Sequence, residues 1–122
     1  MTFRELITQI NKSVEDLDFA TARKYIEENL TILNENKHIL TGNARELLDF
    51  LTHRLNSGYE PFTRQEMATI SAINSYASKF ELRQIKMIIK EKAPLFLRKD
   101  VVEYLNKDAK AILEGMGVIS NH

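Results

Sequence analysis

The chain has no cysteine and no tryptophan, and only two prolines and four glycines among its 122 residues. Without cysteine there are no disulfides, no thiol catalysis, no cysteine-based metal site and no iron–sulfur cluster. The glycines are isolated or form a single Gly-x-Gly, Gly115 and Gly117, so no glycine-rich phosphate loop is present. No segment alternates apolar and polar residues with a period of two, so no strand is expected. Apolar runs such as Met87-Ile88-Ile89 fall far short of the ~18–20 residues of a membrane span. No apolar stretch follows Met-Thr-Phe-Arg-Glu, so the sequence predicts no signal peptide, no membrane partner and a cytoplasmic location.

What is present is helical patterning. Hydrophobic residues make up 43% and charged residues 28% of the chain, as in a folded globular domain. The length fits one domain spanning 1–122, with a core of useful size. The sharpest local signal is Gly58-Tyr59-Glu60-Pro61-Phe62-Thr63-Arg64-Gln65-Glu66. Pro61 disfavours helix at Glu60, and Gly58 suits a helix-ending left-handed turn. Thr63 and Glu66 have capping-box spacing, and Phe62 can close over Met67 as a hydrophobic staple.

Around that hinge the spacing predicts an all-α chain of five or six amphipathic helices packed as antiparallel hairpins. The first is capped by Thr2, carries Leu6, Ile7, Ile10 and Val14 on one face, and ends near Glu15. The second runs from Phe19 to about Asn34 with Ala22, Ile26, Leu30 and Leu33 buried, and Lys24 and Glu28 paired one turn apart. The third is capped by Asn43, with Glu46 three residues on and Leu47, Leu48, Leu51 and Leu55 inward, and Gly58 ends it. The fourth starts at Thr63 and carries Met67, Ile70, Ile73 and Ala77. Its stripe then changes register, so a break is expected between Ser75 and Lys79, with a fifth helix from Phe80 to about Lys92. One long helix is the alternative, since no glycine or proline intervenes. Leu95, Phe96 and Leu97 lie in a connection and pack inward. Asp100, with Glu103 as box partner, caps the sixth helix, which Gly115 and Gly117 stop.

The two halves, 1–58 and 63–117 joined at 59–62, can be laid on each other, either as two similar three-helix units or by the chance recurrence of capping boxes common to helical chains. Thr2-x-x-Glu5 lies over Thr63-x-x-Glu66, Phe19, Ala22 and Ile26 over Leu82, Ile85 and Ile89, and Asn43-x-x-Glu46 over Asp100-x-x-Glu103. The offsets of about 61, 63 and 57 residues require gaps.

Residues 18–30 carry an acid–aromatic pair, Asp18 and Phe19, then Ala22, then Tyr25 and Ile26. This resembles the second helix of a tetratricopeptide repeat. Asn29 stands where that family has a small residue, the preceding helix lacks its Trp-Leu pattern, and no 34-residue period appears. The resemblance implies a helical hairpin and a groove for a peptide, not an array.

Chemistry-bearing constellations are sparse. His38, His53 and His122 have no metal-site spacing, and no His-Glu-x-x-His occurs. Asp16 and Asp18 flank a turn and read as turn and cap residues rather than paired catalytic carboxylates. No serine or threonine sits in a nucleophile elbow. No catalytic, metal or cofactor residue is assigned, and no cofactor is expected. An enzyme with scattered site residues is the reading left to one side.

Charge is the more informative feature. Before Pro61 there are seven Lys/Arg and ten Asp/Glu; after it, ten and seven. Lys79, Arg83, Lys86 and Lys90 are spaced four, three and four, which predicts one basic face on the fifth helix. Like charges at i, i+4 cost a few tenths of a kcal/mol each. Three readings follow: a solvated face or one paired with Asp18, Glu27, Glu28 and Glu35; contact with an acidic protein; or contact with nucleic acid. Balanced overall charge places nucleic acid last. Apolar residues outside the stripes (Ile39, Leu40, Tyr59, Phe62, Leu95, Phe96, Val118 and Ile119) either complete the core or form a patch for a partner or second copy. The sequence therefore points to a small non-catalytic interaction or regulatory module whose contact residues are Lys79, Arg83, Lys86 and Lys90. A nucleic-acid-binding regulator using that same face is the alternative.

Overall fold

The computed structural model describes residues 1–57 and 60–120, except the side chains of 55–57. Helix accounts for most of the described residues and no strand is found among them. The chain divides into two compact units, Met1–Gly58 and Tyr59–His122.

The first unit contains α1 (Phe3–Glu15), α2 (Phe19–Glu28), α3 (Leu30–Glu35), a 3-10 turn at Lys37–Ile39 and α4 (Gly42–Ser57). Thr2 caps α1 by accepting from the N–H of Glu5 at 3.1 Å. Leu6, Ile10 and Val14 are buried, as the 3.6-residue period requires. The predicted second helix is broken in two at Asn29, because the Asn29 amide donates to the Tyr25 carbonyl at 2.8 Å and its backbone leaves the helix at φ −135°. Asn34 and Asn36 bond the carbonyls of Leu30 and Ile32 in the same i−4 manner. Side-chain amides thus compete for helical acceptors along this stretch. The expected Lys24–Glu28 pair is displaced by one residue: Arg23 meets Glu27 at 3.4 Å.

Asn43 is not the cap of α4. Thr41 is: its hydroxyl accepts from Ala44 N–H at 3.2 Å and its carbonyl from Arg45 N–H at 2.9 Å. The Thr41 N–H is itself held by the Asn11 side-chain oxygen at 3.1 Å, which ties α4 to α1. Ala44, Leu47, Leu48 and Leu51 are buried on α4. The helix stop assigned to Gly58, the inward position of Leu55, and Tyr59 and His122 lie outside the described residues.

The second unit contains α5 (Arg64–Ser78), α6 (Leu82–Glu91), α7 (Ala93–Leu97), a 3-10 segment at Lys99–Tyr104 and α8 (Lys107–Met116). At Thr63 both bonds of the capping box form, Glu66 N–H to the Thr63 hydroxyl at 3.0 Å and Thr63 N–H to the Glu66 carboxylate at 2.8 Å. Phe62 stands edge-on to Tyr104, with ring centres 5.2 Å apart, and beneath the Arg98 guanidinium at 3.8 Å. A break is found, but at Lys79–Glu81, because α5 continues through Ser75 to Ser78; α6 accordingly starts two residues later than predicted. Leu95, Phe96 and Leu97 are buried as expected, but on a short helix of their own.

Asp100 does not cap the last helix. Buried Arg98 takes it in a two-pronged pair, Nε to Oδ1 at 3.0 Å and Nη2 to Oδ2 at 2.7 Å, and also donates to the Glu60 carbonyl at 2.6 Å. The cap of α8 is Asn106, whose side-chain oxygen accepts from Ala109 N–H at 2.8 Å. Asn106 N–H donates to the Asn74 side-chain oxygen at 2.8 Å. Gly115 lies within α8; only Gly117, at φ 81°, ends it in the left-handed region that favours glycine.

The units repeat these devices. Asn11 of α1 holds the cap of α4, and Asn74 of α5 holds the cap of α8. Both first helices end in the same turn. Asp18 N–H donates to the Ser13 carbonyl and Leu17 N–H to the Val14 carbonyl; Glu81 donates to Tyr76 and Phe80 to Ala77. The residue after the cap is left-handed in each, Leu17 at φ 61° and Phe80 at φ 58°, although neither is glycine. The caps match at offsets of 61 (Thr2, Thr63), 63 (Asp18, Glu81) and 65 (Thr41, Asn106).

Candidate functional site

The four cations singled out in the sequence are all exposed. Lys79 is the C-cap of α5, where a positive charge suits the negative helix end, and not part of the next helix. Arg83, Lys86 and Lys90 lie on α6. At about 100° per residue they fall within roughly 60° of one another. Leu82 and Met87 border this strip, each offset by roughly 40°. Ile85 and Ile89 anchor α6 to the core and are fully buried. α6 packs mainly on α5 and α7.

Phe80, Leu82 and Met87 are 61%, 37% and 52% exposed. A single exposed leucine is ordinary. An exposed phenylalanine and methionine around three cations form a mixed apolar and basic surface, and the sequence period did not reveal it. The missed signal was Phe80 itself, placed just before the helix and off its stripe.

The matching positions of the first unit are closed. Leu17 and Phe19, at the places of Phe80 and Leu82, are 5% and 1% exposed. Arg23 and Glu27 stand where Lys86 and Lys90 stand. Glu27 is ion-paired with Arg23 and also accepts from Arg54 of α4, the latter at 3.5 Å. Asp18, another acid considered as a partner for the basic face, caps α2 and accepts from both the N–H and hydroxyl of Thr21. Within the second unit, no ion pair to Lys79, Arg83, Lys86 or Lys90 occurs among the described residues.

The other candidates are chemically plain. His38 and His53 are exposed, and Asp49 pairs with Lys37 at 2.9 Å. Among the described residues no group of three or more His, Asp or Glu side chains could hold a metal ion. An open groove of about 410 Å³ in the first unit is lined by Met1, Phe3, Leu6, Tyr25 and Ile32, with Thr2, Glu28 and Asn29 as its polar residues. Among the described residues no helix is long and apolar enough to cross a membrane. Comparison with protein-family models, curated proteins and solved structures finds no match to this chain.

Proposed function

We propose that this chain is a small, non-catalytic cytoplasmic interaction module that engages a protein partner through the α6 surface of its second unit. The observation that carries the reading is the contrast between equivalent positions. Arg23 and Glu27 are ion-paired and the neighbouring apolar residues buried. Lys86 and Lys90 are in no ion pair among the described residues, and Phe80 and Leu82 are exposed, with Met87 exposed beside them. An acidic partner relieves the repulsion between the two lysines, and apolar anchors on it cover the exposed side chains. The two units are read as similar helical hairpin units, which agrees with the tetratricopeptide-like pattern at residues 18–30.

The test uses the full chain immobilised beside Lys86→Glu, with extract of the host organism passed over both. The expected result is one acidic protein retained by the parent and lost from the variant. A nucleic-acid regulator instead predicts retention on a polyanion resin that falls steeply with salt and is weakened by the same variant. Equal capture by parent and variant removes α6 as the contact surface.

A further inference from the structure

We infer that the occupant of the α6 surface is a single acidic amphipathic helix, docked where the last turns of α4 lie in the first unit. The inference rests on the interaction reading above and adds the partner's form. It starts from helix length. α4 has 16 residues and α8 has 10, and the two begin from matching caps at Thr41 and Asn106. Arg54, which reaches Glu27 of α2, lies within the part of α4 that has no helical counterpart. With the offset of 65, its counterpart position is Ile119, beyond Gly117 where α8 has ended.

Among the described residues the second unit thus has α6 with no helix in the place of α4's last turns; Val118 and Ile119, which follow α8, fold back into the core instead. In the first unit α4 packs on α1, α2 and α3, whereas α8 packs mainly on α5. Leu17 and Phe19 are buried in the first unit, whereas Phe80 and Leu82 in their places are exposed; Met87 stands where the first unit has the exposed Lys24. The charges have changed to suit. Glu27 receives a cation from α4; Lys90 in its place calls for a carboxylate. A helix supplying acids one turn apart toward Lys86 and Lys90, with an apolar stripe toward Leu82 and Met87, satisfies both features of the surface.

The full chain should be used as bait for a displayed library of random peptides of about four turns, ~16 residues. Enriched peptides are expected to carry Asp or Glu beside apolar residues at i, i+3 and i+4. They should gain helical circular dichroism on binding and lose about tenfold or more in affinity when Lys86 and Lys90 are both changed to glutamate. Enriched peptides that depend on Lys86 but bind without helical spacing overturn the helix and leave the surface standing. Peptides that bind the Lys86→Glu, Lys90→Glu protein unchanged overturn the surface as well. Absence of enrichment, or enrichment of basic sequences, also overturns the inference.

Discussion

Leu17 and Phe80 share a left-handed backbone and differ in burial, which makes a paired test of the turn. An L-residue with a Cβ in that conformation costs about 1–2 kcal/mol that glycine does not incur. At an ordinary position alanine is instead more stable than glycine by about 0.5–1 kcal/mol. The first effect outweighs the second, so the glycine variant should exceed the alanine variant by about 0.5–1 kcal/mol at both sites, the reverse of the usual order. The absolute effects should separate. Leu17 is 5% exposed, so Leu17→Ala should cost about 3 kcal/mol in lost transfer and cavity energy, and Leu17→Gly about 2. Phe80 is 61% exposed; truncation forfeits about 1 kcal/mol of partial burial, which the relaxed backbone offsets in Phe80→Gly. Urea unfolding followed by far-ultraviolet circular dichroism gives all four values, read from midpoints at unchanged slope. If alanine matches or exceeds glycine at either position, that turn is not left-handed and the structural parallel between the units fails there.

Arg98→Ala should destabilise by about 3 kcal/mol, since it removes the paired carboxylate contact, the bond to Glu60 and the packing on Phe62; a loss below about 1 kcal/mol in urea would contradict this. Arg98→Lys should restore less than half, because an ammonium lacks the planar fork. Asn11→Ala and Asn74→Ala should each cost about 1 kcal/mol, Asn74 the more because its amide also donates to the Tyr104 carbonyl. Earlier hydrogen exchange at Thr41 or Asn106 respectively would identify the released cap. Lys86→Glu should leave the unfolding midpoint within about 0.5 kcal/mol of the parent while abolishing partner capture, so a fold defect is distinguished from a surface effect by the melt alone.

What could be read in the sequence was local. The Thr63–Glu66 box acts across three residues, and both its bonds form. The break before α6 showed as a change of stripe even without glycine. Asp100-x-x-Glu103 had the same box pattern, yet Arg98 two residues earlier claims the carboxylate. The true caps, Thr41 and Asn106, lack a box acid and depend on Asn11 and Asn74, 30 and 32 residues away in the chain. No window of one helix length contains that information. The offset of 57 relates Asn43 and Asp100, neither of which caps a helix; the caps Thr41 and Asn106 are 65 apart. The positions of Arg83, Lys86 and Lys90 on one helix face were legible from spacing. The exposure of Phe80, Leu82 and Met87 was not, because burial depends on whether another helix covers a residue, and Leu82 has the same local setting as buried Phe19.

The α6 surface can be weighed against a face that serves solubility alone. Such a face is best built from mixed charges, with acids and bases paired at i, i+4, and few exposed aromatics. α2 follows that rule: Arg23 and Glu27 are paired one turn apart. α6 departs from it at the same positions, with Lys86 and Lys90 repelling one another and Met87 beside them. Phe80 adds a second departure, a left-handed backbone on a residue that remains 61% exposed. Leu17 in the matching turn offsets its backbone cost by burial; Phe80 has little burial with which to do so. Solubility explains lysines and arginines, but it gives no reason for phenylalanine and methionine among them. A partner that brings carboxylates and an apolar stripe accounts for both departures with one contact.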